Sequence, residues 1–336
     1  MGDPPPLVVA LRPLWLGDLL TGIPALRALR DSFPAHRLVL AAPAVFAPIA
    51  AASGAVDEVV ATAPDTALSA FLHGADVAVD LHGRGPRSHR VLLESRARRL
   101  VAFAHPNVAE TAGLPEWRED EQEAHRWCRL LTESGIPADP KRLDLDPARF
   151  IAFDFARDAT VVHPGAKSAS RRWPAKRFAA VASAEAEAGR RVLVTGSVQE
   201  RALAESVARA AGLPEQAIVA GKTTLTQLAG IVASAGCLIS NDTGVAHLAT
   251  AFGTPSVVLF GPTPPTLWGP PPERRGHVAL WAGRRGDPHG DATDVGLLEL
   301  SVEDVLEAVT ELRGASFSTS LATPRTRELA RAKEMS

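Results

Sequence analysis

The chain lacks the raw material for several kinds of protein. Cysteine occurs only at positions 128 and 237, in apolar or helical surroundings, which excludes a disulfide framework or a cysteine-rich metal site and suits a reducing compartment. No apolar run reaches the roughly 18 residues needed to span a bilayer. The start, MGDPPPLVVALRP, has neither the basic head nor the apolar stretch of a signal peptide. A cytoplasmic protein is expected, and peripheral association with the membrane's inner face stays open because it needs only a patch. An excess of one charge is also missing, with 36 Lys+Arg against 38 Asp+Glu, so a nucleic acid held by phosphate neutralisation is not expected. The local exception is residues 84–99, with Arg84, Arg87, Arg90, Arg96, Arg98 and Arg99; it reads as a solvated face, or as a patch for an acidic acceptor or an anionic membrane. Zinc-ligand spacing, a nucleophile elbow and a Walker Lys-Ser/Thr ending are absent, which disfavours a hydrolase or a P-loop kinase.

What is present is an alternation of short apolar runs and amphipathic stretches. At 336 residues, 46% hydrophobic and 22% charged, the chain has the composition of a globular protein and room for two domains of roughly 150 residues. LVVAL at 7–11, bounded by Pro6 and Pro13, reads as a parallel strand buried on both faces. Leu19, Leu20, Ile23, Leu26, Leu29 and Phe33 then recur at helical spacing up to Pro34. A strand at 37–41, a helix at 45–52, and strands at 56–61 and 76–80 with a helix between them continue the pattern. Residues 119–134 read as a helix. The second half restarts: strand 159–163, helix 174–188 with proline in its first turn, strand 191–195, and helices at 199–211 and 224–235. Then come strand 237–240, a polar turn, a helix through Phe252, a Gly253 stop and strand 256–260. The fold class expected is α/β, with two Rossmann-like domains facing across a cleft and ligands beyond the carboxyl ends of the strands. The boundaries are placed at 1–155 and 156–313, with 314–336 as a flexible tail.

Candidate site residues fall just after these strands. Gly17 lets backbone approach a ligand, and Asp18 reads either as a helix-capping residue or as a general base for an attacking hydroxyl. Lys167, Ser168 and Arg171 precede a helix start, a setting suited to a diphosphate. Glu200, past RVLVT, is placed to hold ribose hydroxyls or to sit on a helix dipole. In NDTGVAH, Asp242, Thr243 and Gly244 open a helix whose N-terminus favours an anion, and His247 stands four residues after Thr243 on the same face. A protonated or N–H-donating imidazole there would offset leaving-group charge.

Together LRPLWLGDLLTGIPALRALRDSFP, VVHPGAKSASRRWPAKRFAAVA, VLVTGSVQE and LISNDTGVAHLATAFGTPSVVLFGPTPPTLWGP resemble the family 9 glycosyltransferases, the ADP-heptose:lipopolysaccharide heptosyltransferases, in the same order over residues 7–312. The resemblance implies a GT-B fold, an inverting transfer, no cofactor and no essential metal. It implies an ADP-heptose donor held by the C-terminal domain and a glycan or glycolipid acceptor of the cell envelope on the N-terminal side; a monomer is expected. Asp18 matches the family's base and Gly17 its neighbour. Arg171 stands where the family has a lysine on the donor phosphates, Glu200 matches the ribose ligand, and Asp242, Thr243, Gly244 and His247 match the donor motif. Lys167 and Ser168 align through a one-residue gap. The competing readings are a nucleotide-sugar epimerase, which needs additional acid/base groups around the sugar, and a non-catalytic nucleotide-sugar or glycan binder of the same fold.

Overall fold

The apolar runs are the central strands of two parallel sheets. A computed structural model describes residues 5–315 and 326–328, and the chain divides between Asp146 and Pro147 into two compact units.

The first unit runs β1 (Leu7–Leu11), α1 (Leu16–Ser32), β2 (Arg37–Ala42), α2 (Ala47–Ala52), β3 (Glu58–Ala61), β4 (Val77–Asp80), α3 (Arg87–Glu94), β5 (Arg99–Val101) and α4 (Glu123–Glu133). Its five strands lie in the order β3-β2-β1-β4-β5, all parallel. β1 is central, so Val8, Val9 and Ala10 are fully buried, and α1 covers the sheet with Leu19, Leu20, Ile23, Leu26 and Leu29. Each such aliphatic side chain contributes about 1.5–3 kcal/mol when fully buried.

Between β3 and β4 the expected helix is only a 3-10 turn, Ala70–Leu72. Leu72 within it and Leu68 just ahead of it reach the core, and two anchors four residues apart do not make the apolar stripe that holds a longer helix. The arginine-rich run is not a uniform basic face either: Arg84 pairs with Glu119, Arg87 with Asp65 and Arg98 with Asp76.

The second unit runs β6 (Thr160–His163), α5 (Ala175–Glu187), β7 (Val192–Val194), α6 (Arg201–Ala210), α7 (Leu225–Ser234), β8 (Cys237–Asn241), α8 (Gly244–Phe252), β9 (Ser256–Phe260), α9 (Pro265–Trp268), β10 (His277–Trp281), α10 (Val295–Glu299), α11 (Val302–Ala315) and β11 (Thr326–Glu328). The strand order is β11-β10-β9-β8-β6-β7, again parallel. Gly253 ends α8 at φ 69°, the left-handed stop that glycine tolerates without a Cβ clash. Pro174 is the N-cap of α5 rather than a member of its first turn.

The division falls ahead of the expected position near 155, because the connecting segment packs on the second unit. The Phe150 and Phe252 rings meet edge-on at 5.1 Å. The carbonyl of Ile151 lies 2.2 Å from where a Cβ on Gly230 would stand. At the other end, 326–328 pair with β10, and the remainder of the expected tail, 316–325 and 329–336, lies outside the described residues. No helix among the described residues is long and apolar enough to cross a membrane.

Candidate active site

In a parallel sheet the loops that carry ligands leave the carboxyl ends of the strands, and the candidate residues do so in both units.

In the first unit, the segment after β1 leads into α1, whose first residues are Leu16, Gly17 and Asp18. The Asp18 carboxylate is half-buried and accepts the Trp15 N–H at 3.1 Å, closing the turn back onto its own start. Asp18 therefore fastens the helix N-terminus. Burial raises its proton affinity most, Arg12 opposes that rise and Glu123 adds to it, so the pKa stands above the ordinary carboxylate value. A carboxylate that binds protons more tightly is a stronger base. Arg12 lies in the LRPLWLGD stretch and Glu123 outside any of the motifs, and the signal that pairs them is tertiary. Beside them, Asp80 at the end of β4 is fully buried and pushed up to about 6 by that burial, against hydrogen bonds from Ser88 and the His82 N–H.

In the second unit the site gathers the ends of β6, β7 and β8. Asn241 closes β8 and stitches the neighbouring loops: its Oδ1 accepts the Trp173 N–H at 3.0 Å, and its Nδ2 donates to the carbonyls of Pro164 (2.8 Å) and Gly165 (3.3 Å). It is fully buried, which makes it scaffold rather than ligand. Next to it Asp242 is 4% exposed, with Oδ2 3.7 Å from Nη1 of Arg171. Burial pushes this carboxyl up to about 6, and Arg171 pulls the other way. A carboxylate cannot itself hold a phosphate, so the arrangement makes Asp242 the holder of Arg171, whose buried Nε has no hydrogen-bond partner among the described residues.

Thr243 is the N-cap of α8 but does not cap it with its side chain. Gly244 follows as the first helical residue, without a side chain to block the N–H groups of that turn, where an anion is favoured. His247 lies one turn on, against Trp268 with ring centroids 6.0 Å apart. Burial, with Arg171 nearby, pushes its pKa down to about 4. That shift favours a neutral ring, which carries one N–H, over the protonated imidazole considered from the sequence.

Glu200 is not inside the first turn of α6 but is its N-cap. Its Oε2 accepts the Ser197 N–H at 2.8 Å, and Oε1 lies 2.1 Å from where a Cβ on Gly165 would be. Burial alone would raise this carboxyl, but the Ser197 N–H, His163 and Arg172 outweigh it and hold it ionised below the usual glutamate value. His163, buried at the end of β6, has Nδ1 3.0 Å from Thr195 Oγ1. Lys167 is exposed and Ser168 half-buried on the loop between β6 and α5, a loop pinned by Arg172 donating to the Ala166 carbonyl at 2.8 Å.

The structure thus brings Arg171, Asp242 and His247 together, and separately sets Glu200 on Gly165; Asn241 joins the two through the Pro164 and Gly165 carbonyls. Gly17 and Asp18 belong to the other unit. Among the described residues, no group of three or more His, Cys, Asp or Glu side chains could hold a metal ion.

The model for Glycosyltransferase family 9 (heptosyltransferase) matches residues 110–289. Lipooligosaccharide heptosyltransferase 2 of Haemophilus influenzae is 30% identical over 160 residues, 44% of this chain and 45% of that one. Lipopolysaccharide heptosyltransferase 3 of Escherichia coli is 31% identical over 196 residues, 56% of each. The chain thus matches about half the length of these curated relatives. In three dimensions, the ADP-heptose LPS heptosyltransferase II of E. coli superposes with a TM-score of 0.74 over 93% of this chain and all of that one, at 18% identity. The family 9 glycosyltransferase of Veillonella parvula does so with a TM-score of 0.75 over 93% and 98%, at 19% identity. At such identities the likeness speaks for the fold, which is GT-B. With more than half of its length matched by the family model, the chain belongs to glycosyltransferase family 9, the heptosyltransferase family.

Proposed function

We propose that the protein is a sugar transferase that moves a heptose from ADP-heptose to a hydroxyl of a lipopolysaccharide-type core acceptor, with inversion at the anomeric carbon. The observation that carries this reading is the second unit's arrangement: an arginine held by a buried carboxylate at the start of α8, and an ionised glutamate bedded on a bare glycine. The first fits a diphosphate, and the second fits the adjacent hydroxyls of a ribose. Lys167, Ser168, Thr243 and the first-turn N–H groups of α8 complete the donor set.

In the reaction, Asp18 takes the proton of the acceptor hydroxyl as its oxygen bonds to the anomeric carbon. The bond from that carbon to the donor phosphate breaks on the opposite face, and ADP leaves with the electron pair. Charge accumulates on the diphosphate, so Arg171 and the α8 N–H groups, already in position, lower the barrier most where the charge is greatest. His247 donates one N–H as a neutral ring. The reading calls for no metal and no cofactor, and for activity in a single chain near the inner face of the cytoplasmic membrane.

The test is a melting series with ADP, UDP and GDP, followed by turnover of the matching nucleotide-heptose. The acceptor for turnover is lipopolysaccharide from an E. coli strain lacking its heptosyltransferase 2. The reading predicts stabilisation by ADP at millimolar concentration, because a ligand of the native state raises stability by mass action. It also predicts heptose addition that survives EDTA. Stabilisation by UDP alone, or transfer that stops with EDTA and returns with a divalent ion, contradicts it.

A further inference from the structure

Arg12 is 1% exposed, and all its nitrogens are engaged. Nε donates to the Asp18 carbonyl at 2.6 Å and Nη1 to the Leu81 carbonyl. Nη2 lies 3.3 Å from Thr21 Oγ1 and 3.2 Å from Glu123 Oε1. The guanidinium sits 4.8 Å from the centroid of the Trp127 ring. Gly22 makes room for it: a Cβ there would stand 2.8 Å from Nε. Glu123 is 4% exposed, accepts the Trp127 indole N–H at 2.7 Å and pairs with Arg126 as well.

One cation thus ties the first turn of α1 to the loop after β4 and to α4. Well-packed apolar side chains often stabilise a core as much as a buried ion pair does, so stability alone does not account for such an arrangement. The turn it grips is the one that carries Asp18. The remaining charged and titratable groups around Arg12 are Arg126 on α4, and Asp80, His82 and His89 on β4, its loop and α3. Asp80 and His82 feel Arg12 directly, and His89 Nε2 lies 3.4 Å from Asp80.

We infer that the buried Arg12–Glu123 pair is the positioning device of the base, holding the Asp18 turn in place and setting the charge its carboxylate faces. The inference rests on the reading of Asp18 as base. Its two members act on Asp18 with opposite sign: Arg12 favours the carboxylate and Glu123 disfavours it. A residue that only filled space would do neither.

The experiment uses the full chain with ¹³C-labelled aspartate carboxyls, the Asp18 signal being assigned by its loss in Asp18→Asn. Its titration is followed beside the pH dependence of kcat/KM for transfer. Glu123→Gln keeps the shape and the acceptor oxygen but removes the charge. It should lower the Asp18 pKa and carry the acid limb of the rate profile to lower pH, by on the order of one unit. Arg12→Met should move both to higher pH. Arg12→Lys keeps the charge but cannot span the same acceptors; Asp18 should titrate near the wild-type pH while transfer falls about tenfold. If Arg12→Met does not fold, the other two variants decide. Folded Glu123→Gln with Asp18 titrating as in wild type overturns the inference, as does a shift of the same sign in Glu123→Gln and Arg12→Met. Opposite shifts of Asp18 combined with undiminished transfer by Asp18→Asn would instead reject the base, leaving the effect of the pair on Asp18 standing.

Discussion

At the scale of the residue, the proposed donor site separates ligands from their holders. Glu200 is ionised and turned onto Gly165, so Glu200→Ala should weaken ADP about tenfold, the cost of a charged hydrogen bond. Inorganic pyrophosphate, which has no ribose, should bind as before; calorimetry with both reads the difference, and an equal loss for the two would remove Glu200 from the ribose. His277, buried with Nδ1 2.9 Å from Ser256 Oγ, is pushed down to about 4 by burial and then by Arg274. Its unfolded value is near 6.5, so its contribution to stability is complete above pH 6.5 and is lost as pH falls towards 4. His277→Asn should make denaturant midpoints less acid-sensitive across that window, and an unchanged slope would count against a neutral buried His277. Asp18, Glu200 and the NDTG turn were legible because each follows a recognisable strand. Arg12 was not, since its partner Glu123 lies 111 residues away, and no local pattern encodes a pair that only the fold brings together.

At the scale of the element, the candidate residues sit at the carboxyl ends of the strands and glycine decides how close neighbours come. Gly165→Ala would put a methyl 2.1 Å from the Glu200 carboxylate. The strand β6 should still form, Glu200 should be displaced, and ADP affinity should drop as in Glu200→Ala; wild-type affinity in a folded Gly165→Ala would show that the bed is not needed. The central strands could be read from the sequence because burial on both faces leaves an unbroken apolar run, as in LVVAL and SVVLF. β5 could not: RLV is short and exposed at its start. The helix expected between β3 and β4 failed for the complementary reason, two apolar anchors without a stripe. The 147–159 segment belongs with the second unit because Phe150 and Ile151 pack there, a preference carried by tertiary contacts that the loose composition of the joint does not display.

At the scale of the whole molecule, the proposed base belongs to one unit and the proposed donor set to the other, so each can be tested without the other. Hydrogen exchange with and without ADP should show protection in 163–171, 195–200 and 241–247, since a bound ligand suppresses the local openings of the loops it holds. Protection confined to the first unit would place the nucleotide elsewhere. The division into α/β units was legible from the repeated alternation, and the family from motifs spread in order along the chain. The most direct measurement is transfer by Asp18→Asn, a variant that preserves shape and removes the proposed base. ADP should stabilise it as it does the wild type, while transfer from ADP-heptose falls by about a hundredfold or more, the usual contribution of a general base. Transfer at the wild-type rate, with ADP still bound, would contradict the account.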